Sequence, residues 1–177
     1  MVGDDSVLAF ITKPPIGVSY RADFAILQYG QGGCCIHLIE LEPSGERLFT
    51  KAGDRAKRHN GALTQCRNWT SWANMNKATF VKDTLESVRT LPLYPERAQN
   101  GSFRRRDFAR IEAAWRGFGG YDDPFIQCTV VIGRWSQMTQ KDRRNLIAQN
   151  RHDDKLAKVI TYEQLARTAY ERPFRNW

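Results

Sequence analysis

The sequence predicts an α/β domain built from alternating strands and helices. Two strand-like runs stand close together near the start, residues 21–29 (RADFAILQY) and 34–42 (CCIHLIELE). Helical periodicity follows in two longer segments, and the most apolar run, residues 125–133 (FIQCTVVIG), comes late. That order of strand and helix patterns argues for layered packing of a sheet against helices.

The first two strands form a hairpin, because Gly30-Gln31-Gly32-Gly33 is a short, glycine-rich connection. Pro43-Ser44-Gly45 stops the second strand. A polar, basic stretch (residues 45–60) leads into a helix from about Asn60, a residue type suited to an N-cap. Ala62, Cys66, Trp69 and Ala73 recur at helical spacing and mark its apolar stripe. Residues 78–82 (ATFVK) read as a third strand, and the segment around Pro92 and Pro95 as loop. Residues 103–118 read as a helix with Phe108, Ile111, Trp115 and Phe118 on one side, ended by Gly119-Gly120. Residues 125–133 read as a central buried strand. Thr139 opens a short polar helix ending near Asn150, and residues 156–160 form a short strand. Thr161-Tyr-Glu-Gln then has the form of a capping box that starts a last helix.

A chain of 177 residues fits one domain of ordinary size. With 27 Lys+Arg against 19 Asp+Glu the net charge is +8, a balance suited to a polyanionic partner such as nucleic acid. Basic charge also serves solubility, so charge alone does not identify the partner. No apolar run has the roughly 18 residues of a membrane span, and no signal-peptide pattern opens the chain. Cys34, Cys35, Cys66 and Cys128 form no CxxC pair. Buried free thiols in a reducing cytoplasm are the reading, rather than a zinc site.

The acids of the hairpin carry the chemistry. Asp23 enters near its open end, and Glu40 and Glu42 leave near the same end on one strand face. Gathered carboxylates raise one another's pKa, and a hard divalent cation relieves that repulsion through oxygen ligands. Acids at strand ends are also often plain solvated charges, and spacing by itself does not choose between the two.

An Asp on one strand, then Glu-x-Lys on the next behind an apolar run, is the PD-(D/E)XK nuclease signature. Ala22-Asp23, seventeen residues before Glu40-Leu41-Glu42, resembles it. Gln65-Cys66-Arg67-Asn68-Trp69 on the following helix resembles the Gln-x-x-x-Tyr element of several such nucleases. In order and spacing, the RADFAIL, LIELEP, ALTQCRNW, VVIGR and VITYEQL segments together resemble the nuclease domain of the Shedu anti-phage family.

The resemblance implies a restriction-endonuclease-like mixed central sheet flanked by helices over residues 21–177, behind a lead segment of residues 1–20. It implies Mg²⁺- or Mn²⁺-dependent DNA cleavage in phage defence, a cytoplasmic location, and assembly as a homo-oligomer, dimer or tetramer. Asp23, Glu40 and the carbonyl of Leu41 are then the metal ligands, Glu42 a base or auxiliary ligand, and Gln65 the residue orienting water or phosphate. Trp69 packs in the core.

Two departures stand out. Glu42 occupies the place of the usual lysine, which would stabilise charge developing on phosphorus; Lys51 or Lys57 is the candidate replacement. The segment before Asp23 contains Lys13-Pro14-Pro15 and no helical period, whereas such nucleases usually have a helix there.

For the nucleic-acid backbone the candidates are Lys51, Arg55, Lys57, Arg58 and His59, between the acidic strand and the Gln65 helix, with Arg134 at the end of the buried strand. Arg104 and Arg105 join them from a run of six arginines between residues 97 and 116. A non-catalytic nucleic-acid-binding module, or an oligomerisation or sensor domain, on the same fold is the alternative to a nuclease.

Overall fold

The computed structural model describes residues 6–30, 32–90, 95–97, 103–105, 108–152 and 157–171. The segment ahead of the hairpin supplies a strand, β1 (Ser6–Thr12). A small ribbon of β2 (Pro15–Ile16) and β3 (Tyr20–Arg21) follows. Then come β4 (Phe24–Gly30) and β5 (Gly33–Leu41), the antiparallel hairpin expected from the glycine-rich turn. Gly33 adopts φ +99°, which only glycine adopts readily.

Two consecutive helices come next, α1 (Lys57–Met75) and α2 (Lys77–Arg89). A second ribbon joins β6 (Pro95–Arg97) to β7 (Phe103–Arg105). The rest runs α3 (Phe108–Gly117), β8 (Phe125–Val131), α4 (Gln140–His152), β9 (Lys158–Ile160) and α5 (Tyr162–Glu171).

The main sheet has five strands in the order β1-β4-β5-β8-β9. Its first pairings are antiparallel, whereas β8 lies parallel to β5 and β9 parallel to β8. A parallel neighbour demands a long crossover, and α1, α2 and α3 make it between β5 and β8. The result is the mixed, helix-flanked α/β sheet that the sequence predicts, consistent with a PD-(D/E)XK-like fold.

Alternation along the strands decides which face is dry. On β5, Cys34, Ile36 and Leu38 are buried, and on β4 Ala25 and Leu27 are fully buried. Cys34 reaches the Trp115 carbonyl of α3, and Cys66 of α1 meets Cys128 of β8, so α1 and α3 cover that face. The stripe Ala62, Cys66, Trp69 and Ala73 is buried as its spacing predicts. The other face, with Phe10 stacked on Phe24, is half-buried.

Several expectations are corrected. Residues 78–82 lie inside α2, not in a strand. Phe80, Val81, Thr84, Leu85 and Val88 form a buried stripe at helical spacing, longer than the five-residue window that resembled a strand. Phe103–Arg105 is a strand, and the helix assigned to that region begins only at Phe108. Asn60 is not a cap: α1 starts at Lys57 behind Ala56, which gives no side-chain cap, and the Asn60 amide already bonds the Ala56 carbonyl. The buried part of β8 is its second half, and Phe125 stays exposed.

Cys66 and Cys128 are not free thiols. Their Cα atoms stand 5.9 Å apart and a disulfide joins them, because the apolar stripe of α1 lies directly on β8. Cys34 and Cys35 are in no disulfide. The capping box is present: the Thr161 amide donates to Gln164 Oε1 at 2.9 Å, and the Gln164 amide to Thr161 Oγ1 at 3.3 Å. Among the described residues no helix is long and apolar enough to cross a membrane.

Candidate active site

Register places the acids. Thr12 pairs with Phe24 and Phe24 with Ile39, so one residue further along each strand Lys13, Asp23 and Glu40 stand in a row across β1, β4 and β5. Directly opposed residues share a sheet face, and this row falls on the face that carries α1. Backbone bonds extend the pairing to the row itself: Lys13 N–H donates to the Asp23 carbonyl at 2.8 Å, and Asp23 N–H to the Ile39 carbonyl at 3.1 Å.

Asp23 is held on both sides. Its Oδ2 accepts the Leu41 N–H at 2.7 Å, and its Oδ1 pairs with the Lys13 ammonium. In extended backbone the N–H and C=O of one residue leave the strand on the same side. The Leu41 carbonyl therefore faces the Asp23 side of β5. Glu42 N–H points the other way, to the Val131 carbonyl at 2.9 Å.

Glu40 stands beside Asp23, and its pKa is raised to about 7. Burial at the edge of the helix-covered face is the larger cause, and the negative charges of Asp23 and then Glu42 add to it; Lys13 opposes them. Glu42 turns to α1, where Arg58 Nη1 donates to its Oε2 at 3.3 Å while Arg58 Nε pairs with Glu46 at 3.1 Å. Among the described residues no three His, Cys, Asp or Glu side chains gather closely enough to share one ion. The expectation of three convergent carboxylates is thus reduced to two, Asp23 and Glu40, beside one backbone carbonyl.

Gln65 is exposed on α1, two turns beyond Arg58 on the same side of the helix, and Trp69 is buried as expected. Lys57 is exposed at the start of α1. Arg55 donates to Gln149 Oε1 at 3.2 Å. His59 is fully buried, with Nδ1 2.8 Å from the Leu48 carbonyl and Nε2 accepting from the Gln149 amide Nε2 at 3.2 Å. Burial lowers its pKa, and the ring fixes the basic loop against α1 and α4. His59 is therefore corrected from backbone contact to core. The side chains of Arg104 and Arg105 lie outside the described residues.

Lys51 and Arg134 line a cleft of about 610 Å³ with Arg47 and Lys141, beside the acids Glu46 and Asp142. Arg134 also reaches Ser44 Oγ at 3.4 Å, just past the end of β5. The cleft thus opens next to the strand end that carries Glu40 and Glu42. The lysine that pairs with the acids is Lys13, from β1, rather than Lys51 or Lys57.

Two neighbours of the acids escaped sequence reasoning. Lys13 stood out only as part of a proline-rich break; its signal is the register of a strand that the segment did not appear to contain. Tyr162 opens α5 and donates its hydroxyl to the Glu42 carbonyl at 2.8 Å. Burial, then the charges of Asp23 and Glu42, raise its pKa. Its signal is its place in the VITYEQL segment, directly after the capping threonine Thr161.

Comparison with curated proteins and with solved structures gave no match. A family model described as Shedu protein SduA, C-terminal, matches residues 4–166. Spanning all five strands of the main sheet, both strands of the acidic hairpin among them, that match makes the chain a member of the Shedu SduA C-terminal family, known as the nuclease domain of the Shedu anti-phage system.

Proposed function

We propose that the chain hydrolyses DNA phosphodiester bonds with a divalent cation, Mg²⁺ or Mn²⁺, held by Asp23, Glu40 and the Leu41 carbonyl. One observation carries this reading: strand register sets Asp23 and Glu40 side by side at the end of the hairpin, and burial with like charge raises the Glu40 pKa to about 7. An all-oxygen donor set with excess negative charge suits a hard cation. When bound, such an ion neutralises the acids and activates water for in-line attack on phosphorus.

The remaining work falls to the protein. Glu42 takes the proton as the water oxygen bonds to phosphorus and the phosphorus–oxygen bond to the leaving nucleotide breaks. Gln65, on the exposed side of α1, orients the water or a phosphate oxygen. Lys51, Arg58 and Arg134, with Arg55 and Lys57, position the backbone through charge without reading sequence. Action on phage DNA in the cytoplasm and assembly as a dimer or tetramer belong to the same reading.

A supercoiled-plasmid assay with Mg²⁺ or Mn²⁺ tests it. Cleavage that Glu40→Ala abolishes supports the site; cleavage that survives Glu40→Ala removes it. The second reading, a non-catalytic DNA-binding module, is favoured by the engagement of Glu42 with Arg58. Salt-sensitive DNA affinity without cleavage or metal binding would select it.

A further inference from the structure

We infer that Lys13 supplies the active-site cation that the motif lacks at Glu42, reaching the acids from β1 rather than from β5. This rests on the nuclease reading above and adds a residue to it. The lysine of the signature is glutamate here, so strand β5 brings no positive charge to the site. The sheet brings one from the opposite flank. Lys13 pairs with Asp23 through its ammonium, and its backbone N–H donates to the Asp23 carbonyl at 2.8 Å. Its charge also reaches Glu40, where it opposes the upward push of the neighbouring acids.

The backbone at this position is unusual. Lys13 has φ +51°, and among the described residues it alone, apart from glycines, has a positive φ. A side chain in the left-handed region is strained, and such strain persists where the surroundings impose it and gathers at functional sites. An exposed ion pair contributes little to stability, and the Lys13 side chain is 64% exposed. The ion pair alone is therefore a poor reason to hold a strained lysine here. A residue before proline prefers extended backbone, so the conformation is held by the surroundings: the Lys13 amide bonds the Asp23 carbonyl, the Ala22 amide bonds the Pro14 carbonyl at 3.3 Å, and the β2–β3 ribbon closes the loop that follows.

Exposure suits the role. Asp23 is 19% exposed and lies between Lys13 and Glu40, so the ammonium stands on the solvent side of the acids, where a phosphate would approach. From there it faces the non-bridging oxygens of the scissile phosphate and offsets the charge that builds on them. Lys13 is not one of the metal's ligands. Its removal should leave the ion's donors in place.

The test compares the full chain with Lys13→Met and Lys13→Arg in three measurements. These are single-turnover plasmid cleavage in Mg²⁺, affinity for an uncleaved duplex in Ca²⁺, and Mn²⁺ affinity read from the free-ion electron paramagnetic resonance signal. Lys13→Met should slow cleavage by about 100-fold, the scale of losing one positioned donor at a developing charge. Lys13→Arg should recover part of the loss, while Mn²⁺ affinity is retained or tightened in both variants and duplex affinity changes little. Thermal unfolding identifies a variant that has failed to fold; Lys13→Arg then carries the comparison, with a shifted cleavage rate at unchanged Mn²⁺ affinity as the expected result. Cleavage by Lys13→Met within about threefold of the parent chain overturns the inference. So does a loss of Mn²⁺ affinity as large as the loss of cleavage, which would make Lys13 a positioning residue for Asp23. A parent chain that neither cleaves nor binds Mn²⁺ takes down the nuclease reading and this inference together, whereas a parent that cleaves beside an equally active Lys13→Met takes down this inference alone.

Discussion

The backbone amide of Leu41 donates to the carboxylate of Asp23 at 2.7 Å, which ties the end of one strand to the side chain that introduces its neighbour. The bond orients Asp23 along the strand edge, and it commits the Leu41 carbonyl to the same side. Two of the proposed ligands are thereby placed by one hydrogen bond.

Asp23→Asn keeps an oxygen to accept that amide but removes the charge; Asp23→Ala removes both. The Ala variant should lose about 1–3 kcal/mol of stability, since a partly buried donor is left without its partner. The Asn variant should unfold closer to the parent. Both should lose Mn²⁺ affinity. Denaturant melts and metal titration measure the two effects separately, and an Asn variant that binds Mn²⁺ like the parent would argue against Asp23 as a ligand.

Stability of the metal-free protein should depend on Glu40. Its folded pKa of about 7 lies above the ordinary value of 4.5, so the unfolded chain ionises this carboxyl first as pH rises. The relative stability present below pH 4.5 is then lost progressively through pH 7. Solvent screening at a half-buried group limits the loss to roughly 1–3 kcal/mol. Mg²⁺ should offset it, so the stabilisation by Mg²⁺ grows with pH. Thermal unfolding from pH 4.5 to 8, with and without Mg²⁺ and against Glu40→Gln, reads it out; parallel curves for the parent and Glu40→Gln would contradict it.

Gln65 and Trp69 lie four residues apart on α1 yet should separate cleanly. Trp69→Ala opens a hole in the core and should cost about 3–5 kcal/mol. Gln65→Ala removes an exposed side chain, so stability should stay within about 0.5 kcal/mol while cleavage falls. Chemical denaturation beside the plasmid assay distinguishes them, and undiminished cleavage by Gln65→Ala would strip that residue of its role.

Gly133→Ala should loosen the turn after β8. Gly133 has φ +63°, and an added Cβ would lie 2.6 Å from the Glu46 carbonyl oxygen and 2.6 Å from a Leu48 methyl. Backbone and core both resist, so the substitution should cost upward of about 2 kcal/mol, the range for strain combined with overpacking. The loop carrying Glu46 and Lys51 should move with it, and hydrogen exchange at residues 46–51 would show faster opening. A variant with parent-like stability and exchange would contradict this packing.

Much of the fold was legible in local pattern. The hairpin, the stripe of α1, the polar helix α4 and the capping box at Thr161 each follow from neighbouring residues. Such signals are written within a few positions of the element that they form. Residues 78–82 read as a strand because the β-favouring Thr79, Phe80 and Val81 sit inside a longer helical stripe that only the packing of α2 selects. Cys66 and Cys128 show the same limit: nothing local relates a helix residue to a strand 62 positions away.

The sequence by itself determined the alternation of strands and helices, the acidic hairpin end and the basic balance, because those are properties of composition and short-range spacing. Only the tertiary structure decided that β1 joins the sheet beside β4, that Glu42 turns to Arg58, and that Lys13 stands next to Asp23. Each of these depends on long-range pairing, in which one strand's register fixes which distant side chains meet.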